Sequence, residues 1–168
     1  MELKQSLHFL VSSWVSEFRC LEPKDVSSNY IEGLLNNSKF ILGVAPDVNV
    51  ESQKKYINDI LASETDTIFG LFLQEKLVST SGIQRTVDFV NSPQIPAVSI
   101  ATIGIYIFDL DYLGFGLGKT LVWAATHLFH LATGAVWFAA GMKKENTPLL
   151  KSHFFPVVTS QSMWIARI

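Results

Sequence analysis

The chain is poor in cysteine, in clustered charge and in long apolar runs. Its 168 residues include one cysteine, Cys20, so neither a disulfide framework nor a cysteine metal cluster is available. It carries 13 basic and 15 acidic residues, and no cluster of lysine and arginine occurs, which argues against direct binding of nucleic acid. No apolar run approaches the roughly 20 residues that cross a bilayer. We therefore expect no membrane partner and no metal.

Apolar residues are abundant instead. They make up 48% of the chain, which suits a buried sheet and leaves enough apolar surface for a homodimer face. The first 18 residues carry serines within their apolar stretch and make a poor signal peptide. We expect a cytoplasmic protein, with an N-terminal extension over 1–16 and a single domain over 17–168.

Periodicity and turn residues predict alternating strands and helices. Residues 1–15 are expected to form an extra helix or a loosely ordered segment, and Asp25 is expected to cap the first helix of the domain. The predicted order is that of a mixed sheet with helices packed on it, in one α/β domain. The predicted strands are 17–21, 67–73, 77–85, 98–108, 135–140 and 162–168, and the predicted helices are 26–36, 50–63, 115–132 and 146–153.

The most informative segment is 100–121. An apolar, β-branched strand runs into an acidic loop, then into glycines at every second position (Gly114, Gly116 and Gly118), and then into an amphipathic helix. The first N–H groups of a helix have no partner within it, and the helix dipole adds positive potential there. Glycines let phosphate oxygens approach the backbone without Cβ clashes. The segment therefore predicts a site for a phosphorylated ligand.

Three phosphate-binding motifs compete for this turn. A P-loop would use Gly118, Lys119 and Thr120, but Leu113 stands where its first glycine is required. A dinucleotide-binding turn would need its third glycine one residue later than Gly118, and in the first β–α unit of the chain. The third motif is the acetyl-CoA turn, Arg/Gln-x-x-Gly-x-Gly/Ala, of the GNAT superfamily of N-acetyltransferases. The glycines match that turn, and the leading Arg or Gln does not.

The resemblance to this superfamily extends beyond the glycines. Residues 109–118 resemble the Asp-x-Asp-Tyr-Trp-Gly-x-Gly-x-Gly signature of one GNAT branch. That branch includes ribosomal-protein alanine, polyamine and sugar-nucleotide amine acetyltransferases. Residues 19–37 are similar to its first strand and helix, and 139–155 resemble its late segment, in which Asn146 matches an asparagine beside CoA.

The resemblance implies a GNAT-like α/β fold: a mixed, mostly antiparallel central sheet with splayed fourth and fifth strands, flanked by helices. It implies acetyl-CoA as co-substrate, with its pantetheine arm between the splayed strands, and direct transfer of the acetyl group to a primary amine. The acceptor would be a small amine, an amino-sugar nucleotide or a protein N-terminus. The implied CoA-binding residues are Tyr106, Ile107, Phe108, Gly114, Phe115, Gly116, Leu117, Gly118, Lys119, Thr120 and Asn146.

The chain departs from the family pattern at positions that bear on catalysis. Thr102 stands where many members of the branch carry a glutamate, and threonine cannot act as a base at neutral pH. His153 lies seven residues after Asn146, where other GNAT enzymes carry a tyrosine that protonates the thiolate, so His153 is the candidate catalytic residue. The alternatives are a non-catalytic acyl-CoA-binding or interaction protein of the same fold, a nucleotide-phosphate-binding module, and glycines that only allow tight packing.

Overall fold

The fold is one mixed sheet with helices on both faces. The computed structural model describes residues 6–11, 13–36, 47–86, 100–135, 137–141, 157–159 and 163–167. Within them, eight strands lie in the order β1-β2-β3-β4-β5-β6-β8-β7. The strands are β1 Leu7–Val11, β2 Trp14–Cys20, β3 Asp66–Leu73, β4 Lys76–Thr86, β5 Ile100–Ile107, β6 Trp137–Gly141, β7 Val157–Thr159 and β8 Met163–Arg167, and the helices are α1 Ser28–Asn36, α2 Val50–Leu61 and α3 Leu117–Thr133.

The strand directions confirm the predicted fold class. Every neighbouring pair is antiparallel except β5 and β6, which run parallel. The parallel pairing covers three residue pairs and ends at Thr102 opposite Ala139. Strand β5 nevertheless continues along β4 as far as Ile107 opposite Ser79. Among the described residues the β5–β6 pairing thus stops partway along β5, which is the predicted splay.

Each face of the sheet has its own apolar core. Helix α3 covers one face, where Phe129 and Leu121 pack with sheet residues such as Phe69 and Ile103. Helices α1 and α2 cover the other face, where Tyr30 and Ile57 belong to the second core. Alternation along each strand sends neighbouring side chains to opposite cores. In β5, Ala101 and Ile103 belong to the α3 side, whereas Tyr106 packs against the α1–α2 side.

Asp25 differs from its predicted role as a helix cap. It lies in a short 3-10 helix, and its carboxylate accepts two hydrogen bonds from the Arg19 guanidinium, at 2.8 and 2.9 Å. Burial opposes the ionisation of Asp25, yet the hydrogen bonds from Arg19 and from the Glu22 N–H hold the pKa of this carboxyl below its ordinary value. The prediction was wrong because the Asp25 carboxylate forms a bidentate ion pair with Arg19 of β2, and α1 begins only at Ser28.

The prediction for 1–15, an extra helix or a loose segment, is wrong wherever the structure describes this part of the chain. Strand β1 pairs along its whole length with β2, from Leu7 opposite Phe18 to Val11 opposite Trp14. Val11 joins the core under α3, and Leu7 and Phe9 pack against it. Pairing with β2 and burial of its apolar side chains thus explain why this segment forms strand β1. Strand β7 was not predicted either, and the predicted helix over 146–153 lies outside the described residues.

Candidate functional site

The end of β5 is tied to the neighbouring hairpin before the chain enters the glycine turn. The Asp109 N–H donates to the Val78 carbonyl at 3.3 Å, and the Asp109 carboxylate pairs with the Lys76 ammonium at 2.7 Å. The hydrogen bond with Asp109 raises the pKa of Lys76. The same carboxylate accepts from the Asp111 N–H, which caps a 3-10 helix over Leu110–Tyr112. Asp109 is therefore an anchor of the loop, and its charge is already compensated.

Two of the three glycines are required by the backbone of the turn. Gly114 and Gly116 have φ of +88° and +81°, in the left-handed region that favours glycine. Gly116 ends the turn, and its carbonyl accepts from the N–H groups of Lys119 and Thr120, at 3.1 and 3.2 Å. Helix α3 begins at the next residue, Leu117. By the geometry of any α-helix, the N–H groups of Leu117 and Gly118 have no acceptor within it.

The glycines of the turn do not serve tight packing. A Cβ built at Gly114, Gly116 or Gly118 would meet no described atom within 4 Å. The contrast is with Gly33, where a Cβ would stand 2.5 Å from the Phe108 Cβ. Gly118 is the most informative of the three, because it is helical and the described residues give it neither a backbone nor a packing reason to be glycine. Space left by the described residues above the helix N-terminus is what a phosphorylated ligand needs.

An aromatic ring at the start of β2 packs against the turn. Trp14 of β2 makes edge-to-face contacts with Tyr112 and with Phe115, at ring-centroid distances of 5.1 and 4.9 Å. Phe115 is itself 50% exposed. Trp14 lies within the predicted N-terminal extension, and its contact with the turn was not predicted, since only the strand pairing brings position 14 to the turn.

The polar side chains at the start of α3 are placed differently from one another. Lys119 is exposed, as an anion-binding ammonium should be. The Thr120 hydroxyl instead lies 3.4 Å from the Gly116 carbonyl and donates to it. For Thr120 to donate to a phosphate, this bond within the helix would have to break.

The next group of predicted residues lies beyond Thr102, where the β5–β6 pairing has ended. Tyr106 donates its hydroxyl hydrogen bond to the Gly33 carbonyl of α1, and Phe108 packs on Tyr30 at 5.1 Å between ring centroids. Ile107 is paired with β4. These contacts fix the end of the strand. Tyr106, Ile107 and Phe108 therefore lie past the point at which β5 and β6 part.

Thr102 lies at the point where β5 and β6 part. It is the last β5 residue paired with β6, and on its other side it stands opposite Gln84 of β4. Gln84 in turn stands opposite Asp66 of β3. Strand alternation places this polar row on the face of α1 and α2. The next residue of β5 on that face is Gly104, paired with Gly82, and a Cβ at either would meet nothing within 4 Å.

Asn146 and His153 lie outside the described residues, so their predicted roles stay predictions. The two histidines of α3 have other contacts. His127 stacks on Trp123, with 5.6 Å between ring centroids, and His130 Nδ1 lies 2.9 Å from the Ala135 carbonyl. Nowhere in the described ranges do three His, Cys, Asp or Glu residues gather as metal ligands. None of the helices described is long and apolar enough to span a membrane.

The fold of this chain is that of solved GNAT acetyltransferases. No protein-family model matches the sequence, and no curated protein matches it significantly. Solved structures do match, at low identity. A GNAT-family acetyltransferase from Streptococcus pneumoniae matches with a TM-score of 0.60 and 15% identity, over 89% of this chain and 96% of that one. The fold predicted from the sequence resemblance is thereby confirmed.

Two further solved structures have named acceptors or a bound cofactor. One, from Salmonella typhimurium, is an acetyltransferase that modifies the N-terminal serine of ribosomal protein L7/L12; its TM-score is 0.67 at 14% identity, over 96% of this chain and 99% of that one. The other is aminoglycoside acetyltransferase AAC(6')-Ib in complex with coenzyme A, with a TM-score of 0.68 at 15% identity, over 90% and 94%. At such identities the likeness concerns the fold.

Proposed function

We propose that this chain is an N-acetyltransferase that moves the acetyl group of acetyl-CoA directly to a primary amine. The observation that carries the proposal is the open glycine turn at the start of α3, placed directly after the strand that parts from β6. A GNAT fold supplies the frame, and among the described residues no atom comes within 4 Å of a Cβ at Gly118, which leaves room for a ligand. The acceptor class is a small amine, an amino-sugar nucleotide or a protein N-terminus.

In this proposal the two ends of CoA use different parts of the site. The pyrophosphate sits over the N–H groups from Phe115 to Gly118, with the exposed Lys119 ammonium beside it. The pantetheine arm runs beside the end of β5, past its parting from β6, and forms hydrogen bonds with the backbone near Tyr106, Ile107 and Phe108, as a further strand would. Asn146 would contact CoA from the opposite wall.

The transfer needs a neutral amine held against the thioester. The amine nitrogen attacks the carbonyl carbon, the C–S bond breaks, and the sulfur leaves as a thiolate while the nitrogen loses a proton. Holding both reactants in one cleft replaces a bimolecular encounter with a positioned one. His153 is the proposed acid for the thiolate, and a water or side chain at the cleft takes the amine proton.

The test is calorimetric titration with acetyl-CoA, followed by measurement of amine-dependent thiol release with a panel of amines. Micromolar binding with turnover on at least one amine supports the proposal. The variant Gly118→Glu should lose binding, because it puts bulk and negative charge where the pyrophosphate sits, at a position whose backbone does not require glycine. No binding by the wild-type protein would overturn the proposal, leaving the turn to another anion.

A second candidate, acyl-CoA binding without transfer, is favoured by one observation. Thr102 stands at the parting of β5 and β6, where the resemblance places a glutamate, and its hydroxyl is no base at neutral pH. The two candidates differ in turnover: tight CoA binding with no amine-dependent thiol release would favour this one. Thr102→Glu would then be the variant to assay, with a gain of transfer as the informative result.

A further inference from the structure

The proposed CoA site uses the backbone N–H of Phe115 but leaves its exposed aromatic ring without a role. The backbone of Phe115 lies between the two left-handed glycines, Gly114 and Gly116. The residue is 50% exposed. A large aromatic ring left exposed beside a phosphate-binding turn offers a flat apolar face to whatever the phosphates carry.

The ring is held in one orientation before any ligand arrives. Trp14 meets it edge-to-face, with planes 79° apart and centroids 4.9 Å apart, and Trp14 is itself held against Tyr112. A perpendicular contact of this kind braces the ring without covering both of its faces. A braced aromatic loses little rotamer freedom when a ligand stacks on it, so the contact contributes more to affinity than a free side chain would.

We propose that the exposed face of Phe115 is the stacking platform for the adenine of CoA, an inference that rests on the CoA site proposed above. In CoA only a ribose separates the adenine from the pyrophosphate. Phe115 directly precedes the N–H groups of Gly116, Leu117 and Gly118 that receive that pyrophosphate, so ring and base are within reach of each other. Base–aromatic stacking tolerates any base and needs no hydrogen-bonding groups.

The charges around the platform agree with an adenosine phosphate. Lys119 is exposed on the first turn of α3, so its ammonium adds positive charge on the phosphate side of the platform. The loop carboxylate of Asp109 is 11% exposed and paired with Lys76, so its charge is compensated. Asp111 remains exposed, and the Lys76 ammonium lies close enough to it for the carboxylate to raise the pKa of Lys76.

The experiment divides CoA into its two halves. Affinity is measured by calorimetry and by competition for CoA, 4′-phosphopantetheine (which lacks the adenosine) and adenosine 3′,5′-bisphosphate (which lacks the pantetheine). Phe115→Ala should weaken CoA and the bisphosphate about 5- to 100-fold, the range of stacking on an aromatic side chain, and leave phosphopantetheine unchanged. Phe115→Tyr should restore the affinity. Leu110→Ala, which shortens an equally exposed apolar side chain of the same loop, is the matched control and should change nothing.

A spectroscopic readout follows the base itself. Saturation-transfer NMR of the bisphosphate should show strong transfer to adenine H2 and H8 in the wild type, and loss of it in Phe115→Ala. Equal weakening of all three ligands would overturn the inference, because the residue would then act on the shape of the turn. Unchanged CoA affinity would overturn it as well. If the wild type binds neither CoA nor its halves, the proposed function fails and the platform with it.

Discussion

Substitutions at Gly118 separate a role in ligand binding from a role in folding, because the two effects have opposite signs. Gly118 is the second residue of α3, and a Cβ there meets no described atom within 4 Å. Alanine is favoured over glycine in a helix by up to about 1 kcal/mol, and an acidic side chain in the first turn adds about 0.3–1 kcal/mol. Gly118→Ala, Gly118→Gln and Gly118→Glu should therefore unfold at or above the wild-type temperature, by up to about 4 °C for alanine and up to about 8 °C for glutamate.

The affinity for acetyl-CoA should fall along the same series. Alanine intrudes least on the approach of the phosphates, glutamine adds bulk, and glutamate adds bulk and charge. At an effective dielectric constant near 20, unit charges 4–5 Å apart repel by about 3–4 kcal/mol. This repulsion corresponds to a loss of about 100-fold or more for Gly118→Glu, beyond the steric loss seen with Gly118→Gln.

Thermal unfolding and calorimetric titration on the same samples give both quantities. Ala132→Glu is the matched control, because it puts the same charge on an exposed position near the other end of α3. That variant should bind acetyl-CoA like the wild type. Wild-type affinity in a well-folded Gly118→Glu protein would refute the reasoning, since no pyrophosphate could then lie over this helix N-terminus.

Three further predictions concern other parts of the chain. Gly33→Ala should lower stability by about 1–3 kcal/mol in urea unfolding, because its Cβ would stand 2.5 Å from the Phe108 Cβ, while Gly82→Ala, with open space, should not. Because the pKa of Asp25 is lowered in the folded state, its ionisation stabilises the fold at pH values above the unfolded pKa near 4, and this stabilisation is lost as the pH falls. Asp25→Asn should remove the contribution of Asp25 to the difference between the urea midpoints measured at pH 7 and pH 3. Burial raises the pKa of Cys20 to about 11, so iodoacetamide should label it at pH 8 far more slowly than in urea, and equal rates would contradict the burial.

Local patterns were enough to predict the elements nearest the site. The alternating hairpin of β3 and β4, the long strand β5 and the amphipathic α3 all appear within a few residues of their expected bounds. The sequence patterns that predict these elements each lie within a short stretch of chain: a hairpin turn at 74–76, a β-branched run and a 3.6-residue period. The predicted site residues from Tyr106 to Thr120 lie on one continuous strand–turn–helix segment, and for that reason the sequence could group them.

Contacts between distant segments were not predictable in the same way. The first strand, β1, has no strong signal of its own and exists because it pairs with β2 and puts Val11 into the core under α3. The same pairing carries Trp14 to Phe115, across about a hundred positions of sequence. Asp25 likewise does not cap α1 as expected, because its carboxylate pairs with the guanidinium of Arg19. Which strand, ring or charged group a residue contacts in these cases depends on the residues that the fold brings near it in space.

The amino-acid sequence by itself determined the glycine turn, since left-handed backbone at Gly114 and Gly116 and an N–H-rich helix start follow from local residue chemistry. It also determined the fold class, through the order and period of its apolar residues. Only the tertiary structure decided that no described residue fills the space above Gly118, that β5 parts from β6 at Thr102, and that Trp14 packs against the turn. Each of these is a relation between segments far apart in the chain, set by burial and strand pairing that no local pattern encodes.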